Sequence, residues 1–121
     1  MLPTKSLHLE DFDMLCEEIV NRKPDSDKAI PGMFVGWDNT PRRGKKGSVV
    51  LGSTPEKFQK YLSLQIKNAK ENYHKDKIFL FAWNEWAEGG YLEPDEKYKY
   101  GYLEAIKQAL IENGEYQEIP N

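Results

Sequence analysis

The chain has 121 residues, 39% of them hydrophobic and 12% aromatic, with a net charge of −3 and a single cysteine. That length holds one domain of ordinary size, and that apolar fraction supports a core, which excludes wholesale disorder. The mild acidity argues against nucleic acid or an anionic membrane as partner, since both need a concentrated basic face.

One cysteine, Cys16, leaves no internal disulfide framework and no Cys-rich zinc site. No stretch approaches the roughly 20 apolar residues of a membrane span. The start, MLPTKSLHLEDFD, has no basic region ahead of an apolar one, so no secretory signal and a cytoplasmic location are expected.

Residues 10–22 are predicted to form an amphipathic helix, with Phe12, Leu15, Cys16 and Ile19 on one stripe. Pro24 and the polar run after it end that helix. Residues 32–37 follow as a short apolar segment between Pro31-Gly32 and Asp38-Asn39, the pattern of a strand buried on both faces. Residues 40–53 read as a long loop, rich in glycine and basic residues, with a short strand possible at Val49-Val50-Leu51.

Residues 54–74 carry the clearest helix pattern. Thr54 suits the N-cap, Pro55 the first helical position and Glu56 the positive end of the dipole. Residues 78–83 read as a second buried strand, which runs into a loop over 84–97. A last helix is predicted over 98–113, with Gly114 as its C′ stop. The class is therefore α/β: a βαβ unit with flanking helices, its strands parallel because a helix joins them. So small a sheet would leave apolar strand edges open. Either the chain is part of a larger α/β barrel, which takes about 250 residues, or it forms a homo-oligomer that covers those edges.

In α/β architectures ligands bind beyond the carboxyl ends of the strands. Both predicted strands end in polar clusters: Trp37-Asp38-Asn39, and Asn84-Glu85-Trp86-Ala87-Glu88. Parallel strands would bring both onto one rim. Glu85 and Glu88 form the kind of carboxylate pair that chemistry at an acetal carbon needs, one to donate a proton and one to accept it. Burial under the indoles would separate their proton affinities. Trp37, Trp83, Trp86 and Tyr91 offer flat apolar faces for a sugar ring. Asn84, Asp38, Asn39, Arg42 and Arg43 could bond its hydroxyls.

Plainer readings stand beside these. Two loop glutamates can simply be solvated, Trp37 and Trp83 can be core, and Asp38-Asn39 can be a turn pair. The basic run Arg42-Arg43-Lys45-Lys46 can be a solvated loop rather than a phosphate clamp. Neither His8 nor His74 has a partner at metal spacing, so no metal and no cofactor are expected.

PGMFVGWDNTPRR, GSTPEKFQKYL and FAWNEWAEGGYLEPDEKYKYGYLEAI resemble the C-terminal part of the WbsX-like family of bacterial O-antigen and capsular polysaccharide proteins. That family is similar in turn to the endo-α-mannosidases of glycoside hydrolase family 99. The resemblance runs from Pro31 to Ile106. It implies the C-terminal quarter to third of a (β/α)8 TIM barrel and a carbohydrate substrate, mannosyl-containing if the likeness to the mannosidases extends that far. It also implies that Glu85 is a base on the sugar's 2-hydroxyl and Glu88 the general acid at the leaving oxygen. A hydrolase-like enzyme, a glycosyltransferase, and an inactive piece that binds carbohydrate or protein are the functions it leaves open.

Overall fold

The computed structural model describes residues 7–117. Among them are six short strands and four α-helices. In chain order these are β1 (His8–Asp11), α1 (Phe12–Asn21), β2 (Gly32–Phe34), α2 (Thr40–Arg43), β3 (Ser48–Leu51), α3 (Pro55–Asn68), β4 (Phe79–Phe81), β5 (Asn84–Glu85), β6 (Gly90–Tyr91) and α4 (Gly101–Glu112). β1 pairs with β3 and β2 with β4, both parallel, while β5 and β6 form an antiparallel hairpin.

α3 lies between α1 and α4. Its Phe58, Tyr61 and Leu62 pack with Phe12 and Cys16 of α1, Met33 of β2 and Val35 just after it, and Tyr102 and Ala105 of α4. Each large apolar side chain fully buried there contributes roughly 1.5–3 kcal/mol. The Thr54 hydroxyl accepts from Lys57 N at 3.2 Å and opens α3, with Pro55 next. Gly114, at φ +71, follows the end of α4. Cys16 is completely buried, and burial, with Asp13 and Asp11 nearby, pushes its thiol up to about 12. It is a core spacer without nucleophilic character at neutral pH.

Several expectations are corrected. The strand expected over 32–37 stops at Phe34. Val35 N still donates to Phe81 O at 3.0 Å, but Trp37 O and Asn39 N then turn to Val50 and Ser48 of β3. Within the residues expected as loop over 40–53, the strand at Val49-Val50-Leu51 is present as β3, starting at Ser48, and α2 is the addition. Asp38 Oδ1 accepts from both Thr40 N and Thr40 Oγ1 and nucleates α2. β1 precedes the first helix, which starts at Phe12 because Asp11 caps it, its carboxylate accepting from Met14 N at 3.0 Å. α4 starts at Gly101, since Asp95 ties residues 95–99 into a turn through Tyr98 N and Lys99 N.

The strands are not buried on both faces. Phe79 of β4 is 65% exposed, and Leu9 and Leu51 on the β1–β3 pair are about half exposed. The helices cover one face of a two-stranded sheet and leave the other open.

α1 and α3 are clamped by Asp13, whose carboxylate accepts from Lys57 Nζ at 2.6 Å and Tyr61 OH at 2.8 Å. These bonds hold the Asp13 carboxyl below its ordinary value of 3.8. A depressed carboxyl stabilises the fold above its unfolded pKa, and that stability fades as pH falls through the folded value. Asp13→Asn is therefore expected to lower the melting temperature at pH 7, with the gap to wild type closing as pH falls below the ordinary value of 3.8. A pH series of thermal denaturation measures it. With the side chain one-third exposed, the gap is small.

Candidate functional site

The site begins where β2 and β4 run out. After β4 the chain enters the hairpin of β5 and β6, with Asn84 opposite Tyr91 and Glu85 opposite Gly90. Trp86–Glu88 form a single 3-10 turn, closed by Gly89 at φ +65. The returning arm is fastened by Leu92 N, which donates to Ala82 O at 2.9 Å, and by Glu93 N to Trp83 O at 3.1 Å.

After β2, Gly36 and Trp37 lead to Asp38, whose N donates to Glu88 O at 2.8 Å. That bond joins the two strand-end clusters directly. It demands close backbone approach, and glycines supply it. A Cβ on Gly36 would lie 3.0 Å from Gly89 O, and one on Gly89 would lie 2.7 Å from Asp38 N. The two clusters thus share one rim.

Trp86 folds back onto Tyr91, the rings stacked at 3.8 Å and 20°. The Tyr91 hydroxyl donates to Asp95 Oδ2 at 3.0 Å, and burial together with that carboxylate raises its pKa. Across from this pair, Trp37 is held by its Nε1, which donates to Ser48 Oγ at 2.9 Å, and by a tilted contact with Phe81. Between them lies a cleft of about 530 Å³. Tyr98 and Tyr102 form its floor with Ser53. Tyr102 OH stands 2.7 Å from Ser53 Oγ, which donates in turn to Val35 O. Burial pushes the Tyr102 hydroxyl up to about 12.

Of the predicted site residues, Trp37, Asp38, Trp86 and Tyr91 line this cleft, whereas Trp83, Asn84, Glu85 and Glu88 lie on the hairpin outside the lining. The indoles do not bury the carboxylates: Trp83 is 52% and Trp86 46% exposed, and Glu85 is exposed with them. Glu88 is more covered, with Arg42 Nη1 3.8 Å from its Oε1. Asn39 is spent on the fold, its Oδ1 accepting from Ser48 N at 2.6 Å. Arg43 stands exposed on α2. Sequence reasoning missed Tyr98, Tyr102, Ser53 and the β3 wall. The alternating Lys97-Tyr98-Lys99-Tyr100 was the available signal for the first of them.

Among the described residues no group of three His, Cys, Asp or Glu is placed to hold a metal ion. No described helix is long and apolar enough to cross a membrane. The arrangement offers flat aromatic faces, one lining carboxylate, and two glutamates on the adjoining hairpin.

A family described as "Glycosyltransferase WbsX" matches residues 2–106, so the likeness extends well upstream of Pro31. The chain is 37% identical over 103 residues to the uncharacterized protein WxcX of Xanthomonas campestris pv. campestris, in strains B100 and ATCC 33913 alike. The alignment takes in 83% of this chain and 15% of the relative, so the chain spans about 15% of the length of these curated relatives. No solved structure matches the chain.

Proposed function

The chain belongs to the Glycosyltransferase WbsX family, and from that premise we propose that it forms the sugar-facing rim of a protein of bacterial O-antigen or capsule metabolism. On this reading it breaks or transfers glycosidic bonds with Glu85 and Glu88. The observation that carries the proposal is the stacked Trp86–Tyr91 pair, which walls a cleft on the same hairpin as the glutamates. Aromatic faces suit the C–H faces of a sugar ring, and the open cleft suits an extended ligand.

The chemistry proceeds in two balanced steps. Glu85 takes the proton of the sugar 2-hydroxyl while that oxygen attacks C1. The C1–O bond to the leaving group breaks, and Glu88 gives its proton to the departing oxygen. An acceptor then opens the 1,2-anhydro sugar at C1, giving its proton to Glu88, while O2 recovers its proton from Glu85. Water as acceptor gives hydrolysis, and a sugar hydroxyl gives transfer. Asp38 is held by Thr40 and would orient a hydroxyl at the shared rim. The roles of Glu85 and Glu88 follow the resemblance to the endo-α-mannosidases. The exposed Phe79, Leu9 and Leu51 favour a second reading, in which the chain works inside an assembly that covers these faces.

Binding is the first test. Intrinsic tryptophan fluorescence is expected to change on titration with mannosyl or capsular oligosaccharides, and Trp86→Ala is expected to weaken the affinity by about tenfold or more, the usual loss for an aromatic anchor. Unaltered affinity in that variant would remove the platform from the site.

A further inference from the structure

The charges around the cleft are few. Of its lining residues only Asp38 and Lys97 carry a full charge. Asp38 is occupied, with its Oδ1 taken by Thr40 N at 2.9 Å and Thr40 Oγ1 at 2.6 Å. Lys97 makes no ion pair among the described residues. Its Nζ stands 5.0 Å from the centre of the Tyr98 ring, which itself packs edge-on against Tyr102.

The backbone that carries Lys97 is fixed from both sides. Asp95 accepts from Tyr98 N at 2.6 Å and from Tyr91 OH at 3.0 Å, so the turn is tied to the aromatic wall itself. A lysine on a free loop would be solvated in many directions. This one is held beside the cleft by a tied turn and a cation–π contact.

We propose that the cleft takes a saccharide bearing an anionic substituent, a carboxylate or a phosphate, and that Lys97 is the residue that selects it. The proposal rests on the carbohydrate reading above. The ammonium would trade water for the substituent while the sugar ring lies against Trp86 and Tyr91. Asp38 serves the neutral hydroxyls, since a carboxylate accepts and cannot bind an anion. The net charge of −3 repels an acidic polymer at long range, so selection must come from a local cation. Lys97 would act as a specificity-determining residue, with no part in bond cleavage.

The test uses the whole chain and tryptophan fluorescence at low ionic strength, because Trp37 and Trp86 line the cleft. Four probes are compared in two pairs: a hexuronic-acid trisaccharide against the neutral trisaccharide of the same linkage, and a hexose phosphate against its parent hexose. One or both anionic probes are expected to bind about fivefold tighter than their neutral counterparts, the scale of one partly solvated ion pair. Preference for the uronic acid alone assigns a carboxylate, and preference for the phosphate alone assigns a phosphate. Lys97→Gln is expected to bring the ratio to about one, and Lys97→Arg to restore it. The same ratio should shrink as salt rises. Equal affinity for charged and neutral probes in the wild type, or an unchanged ratio in Lys97→Gln, overturns the proposal and leaves the carbohydrate reading standing. No binding of any saccharide overturns both.

Discussion

Glu85→Gln and Glu88→Gln are each expected to lower glycosidic-bond turnover by about 10²- to 10⁴-fold, the range for loss of a positioned acid or base. The amide keeps the shape of the side chain and cannot carry the proton. Glu85 is exposed, so its replacement should leave the melting temperature within a degree or two, in line with the small effects of surface changes. Glu88→Gln also removes the contact with Arg42 at 3.8 Å, a loose pair with its arginine in solvent, worth about 0–1 kcal/mol. The two variants are separable. If Glu88 is the acid, its loss is mild in kcat/KM on substrates whose leaving group needs no proton, such as activated aryl glycosides, while kcat still falls because Glu88 also takes the acceptor's proton; loss of Glu85 is severe on all. Release of new reducing ends, or of transfer product, from a labelled oligosaccharide reads both. Because the two act in one step, the double variant should be little worse than the more damaging single one. Wild-type turnover in both single variants would end the assignment.

Gly90→Ala is expected to cost about 1–3 kcal/mol, the scale of overpacking. A Cβ there would sit 2.1 Å from Phe81 Cε1 and 2.6 Å from Cδ1. The ring has little room to move, since Trp37 packs on it with centroids 5.7 Å apart. Gly89→Ala is worse placed: φ is +65, and the added carbon would meet Asp38 N at 2.7 Å, backbone that cannot rotate away. It should break the Asp38–Glu88 bond and cost about 2–4 kcal/mol, the sum of a left-handed residue and a lost close approach. Gly44→Ala is the control. At φ +55 and ψ −132 nothing lies within 4 Å of its added carbon, so only the conformational term of about 1–3 kcal/mol applies. Thermal denaturation followed by circular dichroism compares all three. A Gly90→Ala melting curve that matches wild type would mean that the hairpin is not packed on Phe81.

The parts legible in the sequence were those whose determinants are local. Thr54-Pro55 and the stripe from Phe58 to Ile66 mark α3 within one window, and Gly114 marks the end of α4. The shared rim was legible too, because parallel strands place both carboxyl ends on one side. β1 and β3 were harder. Each has four residues, too few for a period of two to stand out, and their pairing of His8 with Ser48 spans 40 positions. Glycine and basic residues around β3 further masked it. The Trp86–Tyr91 stack depends on two-residue strands that only the hairpin's fastening to Ala82 and Trp83 creates. Tyr98 and Tyr102 fit a helical stripe, which gives no hint that Tyr98 lies in a turn and that both face a cleft. The exposure of Glu85 and Trp83 follows from the hairpin's outward course, which composition does not encode.

Asp38 and Glu88 are 50 positions apart, yet they meet through main-chain atoms alone. A bond between an amide and a carbonyl does not depend on which side chains flank it. The indoles, arginines and glutamates around it can therefore be exchanged one by one while the frame stays closed, provided Gly36, Gly89 and Gly90 are kept. The rim separates what is replaceable from what is not. Relatives that act on different sugars should differ in the side chains displayed there and agree in Gly36 and Gly89, which let the two loops touch, and in Gly90, which makes room for Phe81.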